Sequence, residues 1–169
     1  MRESEKIQQE IDLYREIISA AKIRPASEAV QFITPYLNHD SSEIVGGAIY
    51  SLLSILRVKD ERFRLKAIAM LQNPELDEGL RIKCIQGLSG AYAGTADKKL
   101  LTLLYPIYEN RTSSHNYLRL AALKGLLRLI GMDSKTMLKK LGFIEDVDAI
   151  PKGNIRKEMD QIASIIDGT

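Results

Sequence analysis

The chain is expected to be an all-α protein built from repeated helix pairs, and three observations carry that expectation. Apolar residues recur at spacings of three and four, and no long segment alternates with period two. Helical runs of 10 to 17 residues alternate with short polar breaks: NHDSS, RVKDE, QNPELDE, AGTAD, ENRTSS and GMDS. Three segments also align with one another: IVGGAIYSL from Ile44, LRIKCIQGL from Leu80 and LRLAALKGL from Leu118. Their starts lie 36 and 38 residues apart, a period typical of helical repeats.

The first element is an amphipathic helix over 7–23. Ile7, Ile11, Tyr14, Ile17 and Ile18 form its apolar stripe, and Pro25 ends it by pushing the preceding residue out of the helical region. In each aligned segment an apolar residue starts the helix, a small residue follows four later (Ala48, Cys84, Ala122) and leucine eight later (Leu52, Leu88, Leu126). These positions share one helix face, so each segment reads as the second helix of a pair. The first helices align Leu37 with Leu71 and Tyr108, and Pro35 with Pro106. A short helix SKTMLKKLG closed by Gly142 and a last helix over 154–166 follow, joined by the loop EDVDAIPKGN. At 169 residues this is one domain, 1–169. A capping helix lies in 1–24, three repeats in 26–58, 60–93 and 97–131, and closing helices in 132–169.

The repeats resemble the HEAT family, including its variant in phycobilisome lyase-like proteins. The resemblance covers residues 26 to 131. It rests on the first-helix prolines Pro35 and Pro106, the acidic turn residues Asp40 and Asp77, and the pairs Leu80-Arg81 and Leu118-Arg119. Repeat 1 departs from the pattern with Val45, and repeat 3 has Ser114 near the acidic position. The resemblance implies a short right-handed α-solenoid whose second helices line a concave surface, with Arg81 paired to Asp77 as a tie between units. On that ground, and on their place at the edge of the core side, Arg81 and Arg119 read as structural rather than as phosphate ligands.

Composition excludes several classes. Net charge is +2, from 24 basic and 22 acidic residues, too even to signal strong binding to nucleic acid or membrane. The single cysteine, Cys84, allows no internal disulfide and fits a reducing, cytoplasmic setting. The charged N-terminus has no apolar signal-peptide core, and the apolar stretch from Leu100 to Tyr108 is far short of the ~20 residues of a spanning helix. His39 and His115 fall in turns two repeats apart and do not suggest one metal site. Cys84 sits at a core position with no nearby histidine to activate it. The acidic cluster Glu145, Asp146 and Asp148 lacks the spacing of a calcium loop and reads as solvated. No catalytic residue, cofactor site or metal site is assigned.

Helical rotation of ~100° per residue puts an open stripe opposite the core face. It comprises Glu43, Gly47, Tyr50, Lys83, Gln86, Tyr117, Lys124 and Arg128, which are the candidate partner-binding residues. Tyrosines and basic groups over small residues suit protein recognition. Of the adjacent glycines, Gly46 is expected to serve packing and Gly47 to form an open floor, with Asp40 and Glu43 as a capping box. The function expected is a non-catalytic module that binds a partner protein through its concave face or turn tips, as an adaptor, inhibitor or immunity-type protein. The alternative is nucleic-acid binding, with backbone contacts from the basic C-terminal half.

Overall fold

The computed structural model describes residues 3–111, 115–143 and 145–168, so Ser114 lies outside the described residues. All regular structure among these residues is helical, with no strand, and no helix among them is long and apolar enough to cross a membrane. The chain packs as two compact units, Met1–Gly87 and Leu88–Thr169, and the division falls inside one helix.

The first unit holds α1 (Glu3–Ile23), α2 (Ala26–Ile33), α3 (Ser42–Tyr50), α4 (Glu61–Gln72) and the larger part of α5 (Glu78–Ala91). The second holds α6 (Lys98–Glu109), α7 (Asn116–Leu129), α8 (Ser134–Leu141) and α9 (Arg156–Asp167). Aspartates open three of these helices. Asp60, Asp97 and Asp133 accept from the backbone N–H groups of Arg62, Leu100 and Thr136, which satisfies donors that the first helical turn leaves free. Gly142 (φ 69°) and Gly168 (φ 79°) follow α8 and α9 in a conformation that side chains resist.

Two of the expected first helices carry their proline close to the end. α2 continues as a 3-10 turn, Thr34–Asn38, which contains Pro35, and Pro106 lies inside the last turn of α6. α3 continues as a π-helical turn, Ser51–Ile55. The expected Asp40–Glu43 capping box does not form. Ser41 is the N-cap of α3, its N–H donates to His39 Nδ1 (3.0 Å), and its hydroxyl donates to Glu10 Oε2 on α1 (3.2 Å). The hydroxyl is thereby committed to α1 rather than to the helix it precedes.

The nine aligned core positions are all buried. Ile44, Ala48, Leu52, Leu80, Cys84, Leu88, Leu118, Ala122 and Leu126 are each at most 4% exposed. The last unit adds a second cluster, in which Leu120, Leu123 and Leu127 of α7 meet Met137 and Leu141 of α8. Val147, Ile150 and Ile155 of the following segment complete it.

Burial pushes the Cys84 thiol up to about 12, so it stays neutral and packs as a small apolar group. Cys84→Asp is expected to cost about 3–5 kcal/mol, the scale of an unpaired buried charge. Cys84→Ala should cost about 1 kcal/mol. Urea unfolding of the two variants checks this, and a stable Cys84→Asp protein would contradict the burial.

Candidate functional site

The candidate surface in the first unit is built by α1 lying across α3. α1 is amphipathic, but only Ile17, Ala20 and Ala21 of its residues are buried. Ile7 and Ile11, one turn apart on the same stripe, are 54% and 40% exposed. Between these two groups comes Tyr14, whose ring covers Gly47. A Cβ at Gly47 would stand 2.7 Å from Tyr14 Cε2 and 2.8 Å from Cδ2. Gly46 is equally constrained, because a Cβ there would stand 2.7 Å from Leu80 Cδ2 on α5.

The expected open floor at Gly47 is therefore closed. Both glycines serve packing: one admits α5, the other the aromatic ring of α1. Helical rotation within α3 orders its faces but does not encode which element crosses them.

Two other candidates, Glu43 and Lys83, come together beside Tyr14. Lys83 Nζ lies 3.3 Å from Glu43 Oε1 and 4.7 Å from the centroid of the Tyr14 ring. The lysine thus holds a carboxylate and an aromatic face at once, an ion pair combined with a cation–π contact. Its side chain is 23% exposed and that of Glu43 60%, so water screens the pair on one side. Tyr50 is partly buried and Gln86 exposed. In the second unit Tyr117 is 59% exposed, Lys124 is exposed and Arg128 partly buried.

A groove of about 520 Å³ runs along this surface. Ile7, Ile11 and Tyr14 supply its apolar lining, and Glu10, Arg15, Glu43 and Lys83 its charged rim. The three residues at its centre all belong to α1 and stand in the sequence stripe, where they read as material for a buried cap. The exposure of Ile7 and Ile11 is what the pattern did not reveal.

The acidic loop of the second unit is exposed as expected, with the Asp148 side chain 56% exposed, but Asp148 is also an ion-pair partner. Asp148 accepts two hydrogen bonds from the buried Arg119, at 2.7 and 2.9 Å, and Asp146 Oδ1 accepts from the Asp148 N–H. The Arg119 guanidinium beside Asp148 holds its carboxyl below the ordinary aspartate value. Arg119 Nε also donates to the Tyr108 carbonyl, and Arg81 Nε donates to the Leu71 carbonyl. Asp77 is not the partner of Arg81: its Oδ1 accepts from the Gly79 N–H, 2.7 Å away. That bond engages the carboxylate at the start of α5, while the arginine turns to a helix-end carbonyl.

His39 is tied to Ser41 as described and stands 6.5 Å from the ring of Tyr36, while His115 precedes α7. Among the described residues no three His, Cys, Asp or Glu side chains converge as metal ligands. Comparison with protein-family models, curated proteins and solved structures gives no match.

Two expectations follow. Gly47→Ala should destabilise the protein through the Tyr14 contact, although alanine is the better helix former by ~1 kcal/mol. In a Tyr14→Ala background the same change should become neutral or stabilising, and a double-mutant cycle by chemical denaturation reads the coupling. At neutral pH Asp148→Asn should be less stable than the parent. Because the folded carboxyl is depressed, its contribution is present above ~3.9, the unfolded value, and disappears as pH falls through the folded one. The stability gap between parent and Asp148→Asn should therefore close below pH ~4, as followed by urea midpoints across pH.

Proposed function

We propose that the chain is a non-catalytic protein-binding module that docks a partner protein on the groove of α1, α3 and α5, as an adaptor or inhibitor does. The observation that carries this reading is the pair Ile7 and Ile11, exposed on one face beside Tyr14 and ringed by charged groups. Scattered apolar residues on a surface need no explanation, but apolar residues grouped in a groove with a polar rim have the anatomy of a protein interface. The partner would present apolar side chains to Ile7, Ile11 and Tyr14, with polar groups meeting Glu43 and Lys83 at the edge.

We also read the helix pairs as HEAT-like units of a short right-handed solenoid. Support comes from the two arginines, Arg81 and Arg119. Each donates Nε to a carbonyl near the end of the preceding helix, at Leu71 and Tyr108. The sequence alignment pairs those same two residues with each other.

The test is capture of the partner by the tagged full chain, with the double variant Ile7→Asp/Ile11→Asp as comparison. Both positions are exposed, so the melting temperature should stay close to that of the parent. A protein retained at high salt by the parent and lost by the double variant is the expected result. Equal retention by both would remove the groove from the reading. Recovery of nucleic acid alone, released by salt, would favour the nucleic-acid alternative.

A further inference from the structure

A second concavity lies wholly within Leu88–Thr169, formed by the C-terminal part of α6, the segment 147–155 and the start of α9. It consists of two hollows, of about 290 and 230 Å³, that share Tyr108, Glu109, Arg111, Lys152 and Ile155 and so form one cleft. Its apolar part is anchored in the core. Ile155 is 4% exposed, and Tyr108 and Met159 pack against the same buried cluster. The rings of Tyr105 and Tyr108 meet edge to face, with centroids 6.4 Å apart.

Arg119 and Asp148 satisfy one another in the second hollow. Among the described residues the side chains of Arg111, Lys152 and Arg156 make no hydrogen bond or close ion pair. Arg111 and Lys152 both help to hold the Asp148 carboxyl down, so their positive charge reaches the inner hollow. Glu109 stands with Arg111 and Lys152 in the part common to both hollows, whereas Asp160 lines only the Tyr105 hollow. Burial first and the charge of Glu109 next push up the hydroxyls of Tyr105 and Tyr108. Cations outnumber acids in each hollow: Arg111 and Lys152 are joined by Arg119 in one and Arg156 in the other, against Glu109 with Asp148 or Asp160.

We propose that this cleft binds a small organic phosphate monoester. Its phosphoryl group lies between Arg111 and Lys152, and its flat apolar body rests on Tyr108, Ile155 and Met159. A dianionic head answers two cations of the shared lining that lack a hydrogen-bonded partner, the arginine with a planar fork of donors and the lysine with a compact charge. The volume is at the lower end for ligand pockets and suits a ligand of roughly ten to fifteen heavy atoms. Asp160, which lines only the Tyr105 hollow, disfavours the head group at that end. This inference concerns residues separate from those of the α1 groove, and it stands or falls without the partner protein.

The test is calorimetric titration of the full chain at neutral pH and fixed ionic strength with three probes: phenyl phosphate, inorganic phosphate and benzoate. Phenyl phosphate should bind saturably, and about tenfold or more tightly than either of the others, because only it has both the dianionic head and the apolar body. The double variant Arg111→Gln/Lys152→Gln should lose about tenfold or more in phenyl phosphate affinity, with its melting temperature unchanged because neither side chain holds the fold together. Met159→Ser should weaken phenyl phosphate and leave inorganic phosphate unaffected. Absence of saturable phenyl phosphate binding, or unchanged affinity in the double variant, overturns the proposal. Equal binding of benzoate overturns the phosphoryl assignment, and equal binding of inorganic phosphate overturns the apolar one.

Discussion

An arginine that is 4% exposed has to have its guanidinium answered by acceptors, and the second unit is organised around that requirement at Arg119. Nε donates to the Tyr108 carbonyl of α6, and both terminal nitrogens donate to Asp148. A single side chain on α7 thus fixes the end of α6 and the turn Val147–Ala149. Asn116, one turn earlier on α7, donates to the Glu145 carbonyl and accepts from the Val147 N–H. On the other side Lys140 bonds Glu158 and the Asn154 carbonyl, while the Asn154 amide donates back to the Lys140 carbonyl. The segment between α8 and α9 has little regular structure, yet polar bonds hold it at both ends and Val147, Ile150 and Ile155 anchor it in the core. The cleft of that unit has defined walls for this reason.

The same device recurs in simpler form at Arg81, which covers the Leu71 carbonyl near the end of α4. The last carbonyls of a helix lack intrahelical partners and carry the negative end of its dipole, so a cation there satisfies both needs. The first pair cannot use it, because Val45 stands where the arginine would be. There α1 supplies the ties: Glu10 accepts from Ser41, and Tyr14 lies over Gly47. Loss of the arginine and presence of the glycine are two parts of one arrangement, in which a crossing helix takes over from a side-chain clamp.

How much of this was legible in the sequence depended on whether the cause was local. Core positions followed from a period of 3.6, and all nine aligned residues are buried. The Pro25 boundary and the glycine stop at Gly142 followed from backbone sterics. Gly47 was misread because the environment of a helix face depends on the element that crosses it, which the helix's own periodicity does not encode. Asp148 is solvated, as its setting in the sequence implies, but its pairing with Arg119 is not legible there because the arginine lies 29 residues earlier in the chain. The π-helical turn at Ser51 had a faint signal. Ser51 aligns with Gly87 and Gly125, so a hydroxyl stands where the other two helices have no side chain at all. It is fully buried, and its oxygen has no hydrogen-bond partner among the described residues.

The exposed isoleucines of α1 follow from the same geometry. One apolar stripe runs along a helix of 21 residues, or ~31 Å at 1.5 Å per residue. Its C-terminal half is consumed by packing in the first unit, where Ile17 and Ala20 are at most 2% exposed. Its N-terminal half carries the same residue types at the same spacing and leaves them in water. Fully burying an exposed isoleucine is worth about 1.5–3 kcal/mol, and Ile7 and Ile11 are 54% and 40% exposed, so each holds about half of that unrealised. Tyr14 marks the boundary between the two halves. Its ring closes over Gly47 on one side, takes the Lys83 ammonium near its face, and lines the groove. A protein covering the groove would exclude water from the Glu43–Lys83 pair and raise its strength, since an ion pair gains as the surrounding dielectric falls while its partners stay matched. The packing that holds α1 in place and the surface it offers therefore share one residue, and a change at Tyr14 acts on both.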